Sequence, residues 1–187
     1  MGTDRYREIC DAFHWQVPPR FNMGWECCGR WARERHRFAM YYEDDAGRTS
    51  AHTYWDLQQQ ANRLSNALVA LGVARGDRVA IVLPQRPETA VAHIACYQMG
   101  AVAMPLSILF GPDALEYRLQ NSEAVAALAD DVSLPNLAQV RDNCPLLKHV
   151  IGIAGARESN VHARTSCWRR PQRDLPASIP LPKIPPC

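Results

Sequence analysis

Several residue types and patterns are scarce in this chain, and each scarcity excludes a class of function. Only two of the 187 residues, Lys148 and Lys183, are lysines. No glycine pair is followed by the Lys-Ser/Thr of a nucleotide phosphate loop, so a loop of that type is not expected. None of the seven cysteines forms a Cys-x-x-Cys pair, which favours reduced thiols over a metal or redox site. No Gly-x-Ser-x-Gly elbow accompanies the separated histidines His36, His52, His93 and His149, so a catalytic triad is not expected.

Long hydrophobic runs are also missing. The most apolar window, Thr89 to Phe110, is interrupted by a histidine, a glutamine, a glycine and a proline. Such a window predicts a helix followed by a strand and excludes a membrane span. Charged residues occupy the start of the chain, where an apolar leader would lie. We therefore expect a cytoplasmic protein.

The charge is small overall but unevenly distributed. Residues 1–153 hold 15 basic and 17 acidic residues, whereas residues 154–187 hold six basic and two acidic ones. A mildly acidic body does not favour a nucleic-acid partner. Apolar residues make up 47% of the chain, so a buried core is expected.

Residues 21–153 predict an α/β fold. Short apolar strands are expected at Arg78–Leu83, Ala101–Leu106, Ala124–Ala129 and His149–Ile153. Helices are expected between them over Pro87–Met99, Asp113–Asn121 and Asn136–Arg141. This alternation is typical of βαβ units, and it predicts a partial doubly wound parallel sheet with flanking helices.

The residues before the first of these strands predict helices and a β-hairpin. Within an amino-terminal segment of residues 1–20, a short helix is expected at Tyr6–Phe13. A second helix is expected over Gly24–Arg37, followed by a hairpin of Phe38–Glu43 and Arg48–Thr53 around Asp44-Asp45-Ala46-Gly47. Thr53 and Asp56 form a capping-box pattern at the start of a helix that ends near Gly72.

The character of the chain changes after Ile153. Residues 154–187 contain six of the 14 prolines and show no period of a strand or helix, which predicts a disordered tail. We favour a frameshifted or mis-spliced end as the explanation. A native disordered tail and a basic, proline-rich docking arm remain open alternatives.

Three motifs resemble one known family. They are His52–Leu57 (HTYWDL), Leu71–Pro84 (LGVARGDRVAIVLP) and Tyr97–Ser107 (YQMGAVAMPLS). Their order and spacing resemble the amino-terminal end of AMP-forming acyl-CoA synthetases, the adenylate-forming ligases. Phe110–Leu119 further resembles the short- or medium-chain acyl branch. The resemblance covers roughly residues 21–153, and known members of the family are several hundred residues long.

The resemblance implies a ligase that joins a carboxylic acid to coenzyme A, with ATP and Mg²⁺ as further cofactors. The family's phosphate loop ends in Pro-Lys-Gly, and its catalytic lysine lies near the far carboxyl terminus. Neither is found here, so we expect no catalytic, cofactor-binding or metal-binding residue, no tight cofactor binding and no activity of this chain alone.

Two kinds of partner and one rival function follow from these expectations. An apolar sheet face left uncovered would bind a full-length ligase or a second copy of the chain. The rival function is a non-catalytic interaction or regulatory module built on the same fold. Among other weak candidates, Asp130-Asp131 is interpreted as a solvated loop, Gly152-Ile-Ala-Gly155 as a poor phosphate cradle, and Trp15, Trp25, Trp31 and Trp55 as packing residues.

Overall fold

A computed structural model describes residues 4–16 and 18–153 of the chain. Its helices are α1 (Arg5–Ala12), α2 (Tyr54–Ala70), α3 (Pro87–Met99), α4 (Pro112–Ser122) and α5 (Leu134–Val140). Its strands are β1 (Phe38–Glu43), β2 (Thr49–Thr53), β3 (Arg78–Val82), β4 (Val102–Pro105), β5 (Ala126–Ala129) and β6 (His149–Gly152). The predicted tail, residues 154–187, lies outside the described residues, and its three explanations stay hypotheses.

The central sheet is parallel and has four strands in the order β4-β3-β5-β6. The chain leaves β3 toward β4 through α3, then crosses back past β3 to reach β5 through α4. Because such crossovers are right-handed, the reversal places α3 on one face of the sheet and α4 and α5 on the other. The predicted doubly wound arrangement is thereby confirmed.

Alternating residues of the central strands supply two separate apolar layers. Val79 and Ile81 of β3 pack with α2 and α3, whereas Ala80 and Val82 pack with α4 and α5. Strand side chains alternate between the faces, so an all-apolar strand such as β3 can fill both layers. This explains why its sequence shows a continuous apolar run.

Helices α2 and α3 are joined by buried amides as well as by apolar packing. The Nε2 of Gln58 donates to Oε1 of Gln98 at 2.7 Å, and Nε2 of Gln98 donates to Oγ of Ser65 at 2.5 Å. All three side chains are at most 9% exposed. Buried polar groups need such partners, because an unpaired one costs about 1–3 kcal/mol.

The predicted start and end signals of the helices are confirmed. Thr53 and Asp56 form the capping box of α2, and α3 runs over Pro87–Met99 as predicted. Gly72 and Gly100 have φ of 87° and 79°, the left-handed geometry that ends a helix without strain only at glycine. Local capping chemistry therefore sets these boundaries.

The prediction of one helix over Gly24–Arg37 is wrong. The structure has a π-helical turn at Trp25–Gly29 and a 3₁₀ turn at Trp31–Arg33, and both pack against α2. The amide of Arg30 donates to the carbonyl of Trp25 at 2.9 Å, which widens the turn by one residue. The Trp25 ring reaches Gly29, where an added Cβ would lie 2.8 Å from the ring. Packing of this tryptophan therefore accompanies the wide turn.

The hairpin β1–β2 forms a separate two-stranded sheet, with the predicted turn at Asp44–Gly47. Oδ1 of Asp44 accepts from the amides of Ala46 and Arg48, and Gly47 has a φ of 74°. The pairing register shifts between Phe38 and Met40, so one strand carries a bulge.

Candidate functional site

An open groove of about 890 Å³ lies at the carboxyl ends of β3 and β4. Its walls come from β1, the loop after β3, the first turns of α3 and the loop after β4. The lining residues are Met40, Tyr41, Tyr42, Ile81, Leu83, Pro84, Gln85, Arg86, Thr89, Ala90, His93, Pro105, Leu106, Ser107, Ile108 and Leu109. Ligands of open α/β sheets bind outside the carboxyl ends of the strands, which makes this groove the candidate site.

Arg86 is the cation on the groove wall, and it is paired. Its Nε lies 2.8 Å from a carboxylate oxygen of Glu88 and its Nη2 lies 3.3 Å from the other, a bidentate contact. Burial opposes ionisation of Glu88, but the bonds from Arg86 and from its own backbone lower its pKa. The hydrogen bond to Glu88 in turn raises the pKa of Arg86. The groove wall therefore carries a neutralised ion pair rather than a free positive charge.

His93 presents one free ring nitrogen at the groove. Its Nδ1 lies 2.9 Å from the carbonyl oxygen of Thr89, one turn earlier in α3. A carbonyl only accepts, so Nδ1 carries the proton and Nε2 of the neutral ring is left as an acceptor. His93 is thus a polar side chain that can accept a hydrogen bond from a ligand.

The acidic pair after β5 is not simply a solvated loop, and that interpretation is wrong for Asp130. Asp130 is 3% exposed, and its Oδ1 accepts from the amide of Ser133 at 3.0 Å, whereas Asp131 is exposed. The Asp-x-x-Ser spacing before α5 is the sequence signal that could have predicted this hydrogen bond, because aspartate side chains often accept from nearby amides at the start of a helix. Asp130 shapes the loop and does not line the groove.

The other residues considered from the sequence are not brought together. His36 is exposed, His52 lies 3.0 Å from the hydroxyl of Ser50, and His149 begins β6. Gly152 ends β6, and Gly155 lies outside the described residues. Within residues 4–16 and 18–153, no group of three histidine, cysteine or acidic side chains has the geometry of a metal site.

The described residues do not fit a nucleotide triphosphate with Mg²⁺. Such a group needs several backbone amides and an unpaired cation around the phosphates. In the groove the only described cation, Arg86, is held by Glu88, and Pro87 removes an amide from the start of α3. We derive no step of phosphate chemistry from these residues.

The four tryptophans that the structure describes divide into two groups. Trp25, Trp31 and Trp55 are half-buried, as packing residues are expected to be. Trp15 is 83% exposed, so the packing interpretation is wrong for this residue. Its ring centroid lies 5.0 Å from that of Phe13.

In the part of the chain that the structure describes, five cysteines are free of disulfide bonds, and Cys28, Cys96 and Cys144 among them are buried. Across the same residues, no helix has the length and apolarity that spanning a membrane requires.

A family model described as AMP-binding enzyme matches residues 29–181, more than half of the chain. The match ends beyond residue 153, so it includes most of the segment that the sequence assigned to a tail. Acetyl-coenzyme A synthetase of Alkalilimnicola ehrlichii is 37% identical over 145 residues, covering 70% of this chain and 22% of the relative. The corresponding enzyme of Gemmatimonas aurantiaca is 31% identical, covering 88% of this chain and 29% of the relative.

Solved structures agree with these sequence matches. Brucella canis acyl-CoA synthetase superposes with a TM-score of 0.76 and 29% identity, covering 88% of this chain and 32% of the other. The anthranilate CoA ligase AuaEII, in complex with anthranoyl-AMP, has a TM-score of 0.73 and 22% identity, which shows the shared fold. The chain thus spans between about a fifth and a third of the length of these proteins.

Proposed function

Because the chain belongs to the AMP-binding enzyme family, we propose that it supplies the amino-terminal part of an AMP-forming carboxylate–CoA ligase acting on short acyl chains. The observation that carries the proposal is the family match over residues 29–181. The short-chain assignment is supported by acetyl-coenzyme A synthetases among the relatives.

The proposed reaction has two steps. A carboxylate attacks the α-phosphate of ATP, which gives an acyl adenylate and releases pyrophosphate. The thiol of coenzyme A then attacks the acyl carbon, and AMP leaves. ATP, Mg²⁺ and coenzyme A are the cofactors this reaction requires of the whole ligase.

We place the contribution of this chain at the carboxyl-end groove. Two residues of the loop after β4 support this assignment. Ser107 lines the groove, and Leu109 exposes 87% of its surface to solvent. Val132, after β5, is also exposed, at 65%. Apolar side chains at the ligand-binding edge of the sheet fit a surface that the remaining part of a ligase covers.

We propose further that the chain does not form acyl adenylates alone. It corresponds to 22% of the Alkalilimnicola ehrlichii enzyme, and the described residues lack the donors that a nucleotide phosphate needs. A full-length ligase or a second copy of the chain is its proposed partner, and the cytoplasm its proposed location. The rival function, a non-catalytic module, gains no support, since the relatives reported above are named as synthetases or ligases.

ATP–pyrophosphate exchange tests the activity proposal. The chain alone is assayed with acetate, propionate, butyrate, octanoate and benzoate, and no exchange above a protein-free blank is expected. Exchange with any of these acids would overturn the proposal that the chain is inactive alone.

Mixing tests the ligase role itself. The chain is combined with a polypeptide that covers the remainder of an acetyl-coenzyme A synthetase, and exchange with acetate is expected to rise above that of either part. The matched control is a Leu109→Glu, Val132→Glu variant, which should fold but associate poorly. Absence of any rise at saturating concentrations would overturn the proposed role.

A further inference from the structure

A second surface begins at residues 30–37, shortly before the groove-lining residues of β1, and carries an unusual density of stacked cations. We define the arginine–tryptophan surface as Arg30, Arg33, Arg35 and Arg37 with the rings of Trp25, Trp31 and Trp55. Arg30 and Arg37 lie over Trp31 at 4.5 and 4.1 Å, Arg33 lies over Trp25 at 4.9 Å, and Arg35 lies over Trp55 at 4.5 Å. Stacking on a ring face holds a guanidinium in place without using its N–H donors, which stay available for an anion or a carboxylate.

Half of these arginines keep an uncompensated charge. Arg30 pairs with Glu26 and Arg37 pairs with Glu34. No carboxylate of residues 4–16 or 18–153 lies within ion-pair distance of Arg33 or Arg35, and both are exposed. The surface therefore has two preorganised positive charges that face solvent.

The rest of the body has the opposite sign. Residues 30–37 contain four arginines and one glutamate, whereas the other residues of 1–153 contain eleven basic and sixteen acidic side chains. A polyanion would consequently be attracted to residues 30–37 and repelled elsewhere, which orients the molecule on an extended anionic surface.

Exposed aromatic side chains adjoin the arginines. Phe38 directly follows Arg37, and its ring lies 4.3 Å from that of Tyr41, with exposed fractions of 46% and 79%. Residues three apart on a strand normally point to opposite faces, but the register shift between Phe38 and Met40 brings these two rings together. The bulge thus places two exposed aromatic rings side by side, next to the arginine–tryptophan surface.

Helix α1 also carries exposed apolar side chains. Tyr6, Ile9 and Phe13 follow a helical spacing, yet they are 76%, 61% and 58% exposed, and no residue of α1 is buried. An amphipathic helix with its apolar stripe in solvent is typical of segments that lie in a membrane interface.

We propose that the arginine–tryptophan surface, together with the Phe38–Tyr41 pair, binds the anionic headgroup layer of a lipid bilayer as a peripheral contact. Stacked guanidinium groups match lipid phosphates, and aromatic rings partition into the headgroup region. This combination favours a bilayer over an acidic protein, which offers no apolar layer for the exposed rings. The proposal does not depend on the ligase function.

Vesicle sedimentation of the full chain is the first test. Vesicles of phosphatidylcholine with 30 mol% phosphatidylglycerol are compared with vesicles of phosphatidylcholine alone, at about 50 and about 500 mM salt. Binding is expected to the anionic vesicles only, and to weaken at least tenfold at the higher salt. No binding at low salt, or equal binding to both vesicles, would overturn the proposal.

Two arginine variants locate the contact. Each arginine near an anionic membrane contributes about fivefold to affinity, so Arg33→Gln with Arg35→Gln should weaken binding about 25-fold. Arg75→Gln is the control, because Arg75 is exposed, forms no ion pair with residues 4–16 or 18–153, and lies before β3. It should change affinity less than about twofold. An equal loss of vesicle affinity in the double variant and in Arg75→Gln would contradict the assignment of the contact to Arg33 and Arg35.

The aromatic pair is tested with Tyr41→Ser, and Tyr117→Ser on α4 is its control, at 66% exposure. Only Tyr41→Ser should weaken binding, by several-fold. Far-ultraviolet circular dichroism and thermal unfolding check that all variants fold. Retention of the chain on a heparin column without any vesicle binding would assign the surface to a soluble polyanion and reject the bilayer.

Discussion

The first fifty residues and the sheet body use apolar side chains in opposite ways. We compare residues 4–53, the amino-terminal region, with residues 54–153, the sheet body. Among residues 4–16 and 18–153, 33 apolar residues are buried, and of these only Cys28 and Ala32 lie in the amino-terminal region. The same part of the chain has 14 large apolar side chains that are exposed, and eight of them lie in the amino-terminal region. The same residue types therefore form a core in one region and a surface in the other.

The difference arises from how the helices and strands of each region pack together. In the sheet body, two apolar layers cover a parallel sheet, so strands and helices bury one another. The amino-terminal region is a short helix, a π-helical turn, a 3₁₀ turn and a hairpin, none of which can enclose a core alone. It is fastened to the body at a few points, including Asn22, whose Nδ2 donates to the carbonyl of Gln98 at 3.1 Å.

The largest expected effect comes from removing a core side chain of the sheet body. Leu128 is fully buried in β5, and Leu128→Ala should lower the free energy of unfolding by about 2–5 kcal/mol, because it leaves a cavity. The same substitution at exposed Leu109 should cost less than about 0.5 kcal/mol. Urea unfolding followed by fluorescence measures both. Similar losses would remove the contrast between core and surface leucines.

A smaller effect is expected where the two regions meet. A Cβ on Gly24 would lie 2.7 Å from the backbone nitrogen of Gln98 in α3, so Gly24→Ala must push the two regions apart. We expect a loss of about 1–3 kcal/mol in the free energy of unfolding. Gly111→Ala is the control, since nothing lies within 4 Å of its Cβ, and it should cost under about 1 kcal/mol. Equal costs would show that the contact is not tight.

The capping box at the start of the sheet body should contribute less again. Thr53→Ala removes the hydroxyl that accepts from the amide of Asp56 at 3.2 Å, and the loss should be about 1 kcal/mol in urea unfolding at pH 7. Hydrogen bonds from Thr53 lower the pKa of Asp56. The stability they supply is complete above the unfolded pKa of about 3.9 and is lost as the pH falls through the lower folded value. Asp56→Asn should therefore flatten the stability profile below about pH 4; an unchanged profile would remove the role assigned to the carboxylate.

Thiol labelling compares a buried cysteine with an exposed one without any substitution. Burial, followed by the neighbouring Cys27, raises the pKa of Cys28 to about 11, whereas Cys27 is exposed. Because the thiolate is the reactive form, Cys28 should react with iodoacetamide on the order of a hundredfold more slowly than Cys27 at pH 8. Both cysteines lie on the tryptic peptide of residues 21–30, so tandem mass spectrometry assigns the label to Cys27 or Cys28 from the fragment ions. Equal rates would mean that the turn at Trp25–Gly29 opens readily.

Much of the sheet body could be predicted from the sequence. Helix α3 lies at its predicted bounds, and the four parallel strands lie within one or two residues of theirs, because glycine stops, a proline start and apolar runs are local signals. The buried amides of Gln58 and Gln98 could not be predicted, since glutamine has no local preference that distinguishes a buried pair from a solvated one.

The candidate groove could not be predicted from the sequence either. Its residues come from β1, α3 and two loops, so it exists only once the sheet brings these elements together. No local pattern marks the Arg86–Glu88 pair as a wall or His93 as an open acceptor. The buried state of Asp130 likewise depends on the helix that folds over it.

By itself, the sequence determined the family, the alternation of strands and helices, and the points where most helices begin and end. Tertiary structure alone decided the strand order, the π-helical turn at Trp25–Gly29 in place of a longer helix, and the register shift that pairs Phe38 with Tyr41. The physical reason is range. Caps, turns and periodicity act between residues a few positions apart, whereas packing of a ring on a glycine or a strand on its neighbour joins residues that only the folded chain brings into contact.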